Sequence, residues 1–173
     1  MPSKHLTMKL SKVVPLGFSA IIAVMVINGL IAKLTINSMI STVSDVMHSY
    51  RVQTTLQELE EILVDVQLGE RGFIITKDEK FLQPYTTAQN KLQKKFKEAE
   101  DLLKENPSQS QNLEQLEELA QKGISSLTKN ISLTRAGKSP SKENLLEGKQ
   151  GLEVIRKKIG EMLKAENDLL VKR

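Results

Sequence analysis

Cysteine and tryptophan are absent from this 173-residue sequence, and it has only two histidines. Without cysteine, neither a disulfide framework nor a thiolate metal site can form. His5 and His48 lie on opposite sides of a long apolar run, so we expect no two-histidine metal site and no Ser-His-Asp arrangement. Gly69 and Gly72 do not form a glycine-rich phosphate loop after a strand. We therefore expect no catalytic residues, no metal and no cofactor.

The basic surplus is confined to the N-terminal end. The formal net charge is +4, and Lys4, Lys9 and Lys12 precede every acidic residue. Of the 25 basic residues these three come first, and the 22 that follow nearly balance the 21 acidic ones. A nearly neutral body with few aromatic residues is a poor binder of polyphosphates. Nucleic acid is not an expected partner.

Residues 13–32 carry no charge, and Asn28 is their one strongly polar side chain. Twenty helical residues rise about 30 Å, the thickness of the hydrocarbon core of a bilayer. The run predicts a transmembrane helix in contact with lipid. Three lysines precede it and Lys33 alone follows, so the positive-inside rule predicts residues 1–12 in the cytoplasm and residues 33–173 outside, at the plasma (inner) membrane. A cleaved signal peptide is the alternative, although Leu30-Ile31-Ala32 makes a poor cleavage site.

The rest of the sequence has helical periodicity and no strand pattern. Apolar residues recur at three- and four-residue steps, which predicts one buried face on each of four helices. The first of these faces comprises Ile36, Met39, Ile40, Val43, Val46, Met47 and Tyr50, then Leu56, Leu59, Leu63 and Val66. The predicted fold class is all-α, with the transmembrane helix continuing into an antiparallel up-down-up-down four-helix bundle.

Helix boundaries are predicted from capping residues. Thr76 and Glu79 have the spacing of a capping box for the second helix, which Pro84 would delay. Asn106-Pro107 predicts the start of the third helix, and Gly137 its C-terminal cap. Ser139-Pro140 predicts the start of the fourth helix. Gly69 and Gly72 either allow a neighbouring helix to approach closely or mark the end of the first helix.

The segment from Asp65 to Tyr85, DVQLGERGFIITKDEKFLQPY, resembles the signature of the third class of CHASE domain (cyclase/histidine-kinase-associated sensory extracellular). Gln67, Leu68 and Lys77 stand where Glu, Thr and Gly are usual in that family. The matching positions, with the acidic Asp65 and Glu70, are Gly69, Arg71, Gly72, Thr76, Asp78, Phe81, Leu82, Pro84 and Tyr85. A later segment with Gly148, Lys149, Ile155 and Arg156 resembles the family's closing run.

The resemblance covers about residues 35–173 and implies a helical sensor domain between two membrane helices. The family's outputs are histidine kinases, methyl-accepting chemotaxis receptors and cyclases, and its ligands are generally unknown. It implies that this chain is the sensor region of a transmembrane receptor, most often a histidine kinase of a two-component system, and that the chain acts as a homodimer. A stand-alone membrane-tethered interaction protein is the alternative.

Two interpretations of Glu70 and Arg71 remain open. With Asp65 and Arg156 they would form a polar cluster that binds a small ligand or switches helix packing. Otherwise an ion pair would fix the turn between the first and second helices. The second interpretation is favoured, because such ion pairs are common in helical bundles.

Overall fold

The computed structural model describes residues 4–172 and the side chains of residues 15–171. All of the predicted cytoplasmic tail, residues 1–12, therefore lies outside the described side chains. Four α-helices and one short 3₁₀ turn, with no strand, make up the described chain. They are α1 (Lys4–Thr76), the 3₁₀ turn (Glu79–Leu82), α2 (Gln83–Leu103), α3 (Pro107–Arg135) and α4 (Lys142–Lys172). The chain divides into two compact units, one ending at Asp45 and the other beginning at Val46.

The first unit is the N-terminal part of α1. Near its start the helix is long and apolar enough to cross a membrane, and the side chains of its apolar window are not buried against protein. The polar side chain in the run is satisfied within the helix, because Asn28 Nδ2 donates a 2.9 Å hydrogen bond to the Val24 carbonyl. A polar group satisfied in this way can lie in hydrocarbon at low cost. Pro15 lies within the helix, near one end of the apolar run.

The second unit is a bundle of the later part of α1 with α2, α3 and α4, in which α4 runs antiparallel to α1 and to α3. The start of α4 pairs with the end of α1, since Gln67 Nε2 donates to the Gly148 carbonyl at 3.2 Å. The end of α4 pairs with the earlier part of α1, since Ser49 donates to Glu166 at 2.5 Å. Residue numbers therefore fall along α1 as they rise along α4.

The same reversal relates α3 to α4. Gln109, at the start of α3, donates to the carbonyl of Met162 at 3.0 Å. Lys129, near the end of α3, donates to Asn144 at 3.3 Å. Between these contacts Gly123 and Gly151 allow the two backbones to approach closely. These contacts set α4 antiparallel to α1 and to α3, as the predicted up-down-up-down bundle requires.

One apolar core fills the bundle. Its most deeply buried side chains include Leu56, Leu59, Leu116, Ile159 and Met162. Each such side chain contributes about 1.5–3 kcal/mol relative to an exposed one. All four helices supply residues to this core, as their apolar periodicity predicts.

The prediction of a buried face over residues 36–50 was wrong. The apolar side chains at these positions are all exposed, whereas the face becomes buried from Val52 onward. Helical periodicity places residues on one face, but it does not say what covers that face. Phe81 and Leu145 are likewise 45% and 41% exposed.

Two predicted helix starts were also wrong. Thr76 and Glu79 form no capping box, because Asp78 caps the 3₁₀ turn by accepting from Lys80 N–H at 3.0 Å. Thr76 instead accepts from the Asp78 N–H at 3.2 Å. Ser141 rather than Ser139 caps α4, since its hydroxyl accepts from the Asn144 N–H at 3.2 Å.

The other predicted boundaries are confirmed. Asn106 caps α3 by accepting from the Gln109 N–H at 3.3 Å. Gly137 has φ of +74°, the left-handed conformation that ends a helix. Pro84 lies in the first turn of α2, after the 3₁₀ turn that delays this helix. Gly69 and Gly72 do not end α1, which continues to Thr76.

Candidate functional site

The two signature glycines let the chain fold back closely on α1. A Cβ at Gly69 would lie 2.5 Å from the Phe81 carbonyl oxygen, and one at Gly72 would meet the Phe81 ring. The close approach is made by the 3₁₀ turn and not by a neighbouring helix. Pro84 also packs near Gly69. The glycines thus fix where α2 begins relative to α1.

Neighbouring signature residues complete this turn. Leu82 is buried beside Phe73 and Ile131. The Tyr85 hydroxyl is 2.8 Å from the Thr128 hydroxyl on α3, so the start of α2 is joined to α3. These residues position backbone and carry no reactive group. Their role in this structure is to hold the α1–α2 connection against α3.

An ion pair joins the turn to the end of α3. Arg135 donates from Nε and Nη2 to the two carboxylate oxygens of Glu79, at 2.8 and 2.6 Å. The same guanidinium lies 5.9 Å from the centre of the Phe73 ring. The hydrogen bonds from Arg135 lower the pKa of Glu79, and Glu79 raises the pKa of Arg135. An ion pair does fix this turn, but it is formed by Glu79 and Arg135.

Glu70 is a carboxyl group inside the bundle, 2% exposed. Its Oε1 accepts a hydrogen bond of 2.9 Å from Asn130 Nδ2 on α3. Burial raises the pKa of Glu70, while the Asn130 hydrogen bond and nearby Arg71 partly oppose this rise. Among the described residues, the buried atoms Asn130 Oδ1 and Thr134 Oγ1 have no hydrogen-bond partner. Glu70, Asn130 and Thr134 are thus among the buried polar side chains of the bundle.

A cleft of about 380 Å³ opens beside Glu70 between α1 and α4, with α3 contributing one side chain. Its lining combines apolar side chains with three cationic ones. The lining residues are Gln67, Glu70, Arg71, Ile74, Ile75, Leu127, Lys142, Leu145, Leu146, Gly148 and Lys149. We call this space the α1–α4 cleft.

The later signature positions hold α4 in place around the cleft. The Gly148 carbonyl accepts from Gln67, and a Cβ at Gly148 would lie 3.3 Å from Leu127 Cδ2. Ile155 is buried in the core. Lys149 pairs with Glu153 along α4 at 3.5 Å.

The predicted polar cluster of four charged residues is not assembled. Glu70 and Arg71 both line the α1–α4 cleft, whereas Asp65 is exposed. Arg156 pairs with Glu60 at 3.1 Å. Glu60 lies five residues before Asp65 on α1, which is more than one helical turn. His48 is exposed. The site therefore centres on Glu70 and Arg71 without the other two charges.

Sequence reasoning missed Asn130, Glu79 and Arg135 as partners. Asn130 interrupts the apolar positions of α3 one residue before Ile131, and a polar residue at that place signals a buried hydrogen bond. No comparable signal marks Arg135, because pairing across 56 residues depends on the tertiary fold.

The arrangement is suited to binding a molecule and to holding helices against one another. Within residues 15–171, no group of three or more His, Asp or Glu side chains could hold a metal ion. The lining of the cleft combines apolar side chains, three cations and one carboxyl group of raised pKa. Such a lining suits recognition of a small molecule.

Comparison with known proteins agrees with this description. The family model of the CHASE3 domain matches residues 42–173. The crystal structure of the Rhodopseudomonas palustris histidine kinase HK9 sensor domain superposes with a TM-score of 0.58 at 20% sequence identity. That match covers 72% of this chain and 99% of the other, and at this identity it shows the fold alone. No curated protein matches the sequence significantly.

Proposed function

The chain belongs to the CHASE3 domain family, and from this premise we propose that it is the extracytoplasmic signal-input region of a membrane-anchored receptor. The observation that carries the proposal is the family match over residues 42–173, together with an apolar helix that precedes it. The chain itself contributes sensing and no catalysis.

The mechanism rests on the continuity of α1. This helix includes both the apolar run and the residues that pack in the bundle. In the bundle it is joined to α4 by Ser49–Glu166, Gln67–Gly148 and Glu60–Arg156 contacts. A signal that favours one packing of α1 against α4 would displace the same helix that enters the membrane. The signal must bind one packing more tightly than the other, since tight binding alone shifts no equilibrium.

The proposed topology follows the charge distribution. Residues 1–12, with three lysines, would be cytoplasmic; residues 13–32 would cross the inner membrane. Residues 33–173 would lie outside. Because the chain has no cysteine, single substitutions test this directly. A membrane-impermeant maleimide should label Lys138→Cys in intact cells, and should label Ser3→Cys only after permeabilisation. The reverse pattern would overturn the orientation.

The proposed output is a histidine kinase. The similar fold of a sensor domain from a protein named as a histidine kinase supports this choice. A methyl-accepting chemotaxis receptor or a cyclase would use the same input, because the family serves all three. A stand-alone tethered protein that binds a membrane partner is the second candidate, favoured by the exposed apolar residues of α1.

We also propose a homodimer. Within the bundle unit, Val46, Met47 and Tyr50 are 45–64% exposed, and in the first unit Ile36, Met39, Ile40 and Val43 are also exposed. Apolar residues that remain exposed at helical spacing are typical of a helix–helix interface. A second copy of α1 has a matching surface, since a two-fold interface uses the same patch on both subunits.

A chimeric receptor tests the input function. The chain would be fused after Arg173 to a second transmembrane helix and the cytoplasmic part of a histidine kinase of known output. One to seven alanines would then be inserted in α1 after Asn37. Each residue rotates the helix by about 100°, so kinase output should oscillate with insertion length and return near four and seven. The proposal would be overturned if kinase output stayed the same both with the insertions and after deletion of residues 46–173.

A further inference from the structure

The α1–α4 cleft has the features of a ligand site for a particular chemical class. We propose that it binds a small organic anion, a carboxylate on a compact hydrocarbon body. This inference deepens the proposed sensing function and rests on it, because it names the class of signal that the input region would detect.

Charge at the cleft favours an anion. Arg71, Lys142 and Lys149 line it, and Glu70 is the one acidic residue that does so. The cleft therefore carries a net charge of +2 when Glu70 is ionised, and more when it is not. Burial favours the neutral form of Glu70, which further reduces repulsion of an anion.

Two of the three cations are available for a ligand. Arg71 and Lys142 take part in no ion pair among the described residues, whereas Lys149 reaches Glu153 at 3.5 Å. Arg71 presents a planar group that can bind both oxygens of a carboxylate. Lys142 is the first residue of α4, and the next α4 residues that line the cleft, Leu145 and Leu146, are apolar.

The apolar side chains of the cleft favour a ligand whose remaining part is hydrocarbon. Ile74 and Ile75 on α1 line the cleft together with Leu145 and Leu146 on α4, and Ile75 and both leucines are more than 40% exposed. An apolar body held between them would remove this surface from water. A volume of about 380 Å³ lies at the small end of ligand sites, so the body should be compact.

The position of the cleft suits a signal. A molecule between Arg71 on α1 and Lys142 on α4 would bridge the two helices whose relative packing carries the proposed output. It would bind most tightly when they are close enough for both cations to reach it. That difference in affinity is what a ligand needs to shift a packing equilibrium.

The test uses the full chain in nanodiscs of zwitterionic lipid, with cyclohexanecarboxylate and 3-phenylpropanoate as probes. Binding would be measured by saturation-transfer NMR and by the shift of the thermal unfolding midpoint. The uncharged carboxamides and acetate are the ligand controls. We expect both carboxylates to bind at least about ten-fold more tightly than their amides or than acetate.

Three variants locate the binding. Arg71→Gln/Lys142→Gln should weaken carboxylate binding by about ten-fold. Ile75→Ser should weaken the binding of both carboxylate probes, whereas the weak binding of acetate should not change. Lys91→Gln/Lys122→Gln removes two exposed lysines on α2 and α3 and should change nothing. Circular dichroism of each variant establishes that it remains folded.

The outcomes separate this inference from the function on which it rests. Absence of binding by either carboxylate, equal binding of acid and amide, or binding that survives Arg71→Gln/Lys142→Gln would overturn the ligand class. A chimera whose output still oscillates with insertions in α1 would then leave the input function intact. Loss of that oscillation with carboxylate binding retained would instead refute signalling and keep the site.

Discussion

Glu70 Oε1 accepts a 2.9 Å hydrogen bond from Asn130 Nδ2, and both side chains are buried where α1 meets α3. A buried carboxyl group with one amide donor is incompletely solvated, which is why its pKa is raised. The other polar atom of the amide, Asn130 Oδ1, is a buried acceptor that receives no hydrogen bond among the described groups. The pair therefore makes a polar site that a single proton can alter.

Substitutions at this pair should have opposite effects. Asn130→Ala leaves the Glu70 carboxyl buried without its donor and should reduce stability by about 1–3 kcal/mol. Glu70→Gln keeps an acceptor for Asn130 and adds a donor for its unpaired oxygen, so it should raise stability at neutral pH. Thermal unfolding followed by circular dichroism of the detergent-solubilised chain measures both. A Glu70→Gln protein less stable than wild type at pH 7 would contradict this account.

The pH dependence of stability should have opposite signs at two glutamates. The folded pKa of Glu70 is raised above its ordinary value of 4.5, so its contribution is present below that value and is lost as pH rises through the folded pKa. The folded pKa of Glu79 is lowered, so its contribution is present above 4.5 and is lost as pH falls through the folded pKa.

Two variants separate these contributions. The stability of wild type relative to Glu70→Gln should decrease as pH rises, and that relative to Glu79→Gln should decrease as pH falls. Because Glu79 and Arg135 are exposed, the second difference should also shrink with added salt. Melting midpoints from pH 3 to 8 at two ionic strengths provide the measurement. Slopes of the same sign would show that one pKa shift has the wrong direction.

Backbone substitutions near the signature should distinguish close approach from helix propensity. Gly69→Ala places a methyl group against the Phe81 carbonyl and should destabilise the bundle. Gly160→Ala has open space around it and should stabilise α4 by about 0.5–1 kcal/mol. Lys77 has φ of +61°, so Lys77→Gly should also be stabilising, by up to about 1 kcal/mol. Equal effects of the Gly69 and Gly160 substitutions in the thermal melt would argue against the close packing of Phe81.

These positions illustrate what sequence could and could not predict. Helix number and order followed from apolar periodicity, and the boundaries at Asn106 and Gly137 from capping residues, because those signals are local. The partner of Glu70 is 60 residues away and the partner of Glu79 is 56 residues away, so neither could be read from spacing. Lys77, where the family usually has glycine, has a left-handed backbone conformation that was not predicted.

Apolar periodicity gave a wrong prediction of burial where no other helix of the chain packs on the apolar face. Residues 36–50 show the same spacing as residues 56–66, yet the first set is exposed and the second is buried. The difference arises because α2 and α4 pack against the later part of α1. A pattern in one helix contains no information about the reach of the others.

At the other end of the α1–α4 pair, Ser49 donates a buried hydrogen bond to Glu166. Ser49→Ala would leave this carboxyl without its donor, and the cost should be about 1–3 kcal/mol. Replacing both residues, Ser49→Ala/Glu166→Leu, removes the unpaired group and should recover much of that loss. A double-mutant cycle by thermal unfolding measures the coupling. Additive losses would show that the two side chains do not interact.

The α3–α4 register can be tested with a disulfide, since the chain has no other cysteine. A Cβ at Gly151 would lie 3.9 Å from the Gly123 Cα, so the two Cα atoms are no farther apart than those that disulfides join. Gly123→Cys/Gly151→Cys should therefore cross-link within one chain on mild oxidation and migrate faster than its reduced form on a gel. Position 160 is nine residues farther along α4, about 13 Å away, so Gly123→Cys/Gly160→Cys should remain reduced. Cross-linking of the second pair in preference to the first would mean that α4 packs on α3 in a different register. Different residues of α4 would then line the α1–α4 cleft.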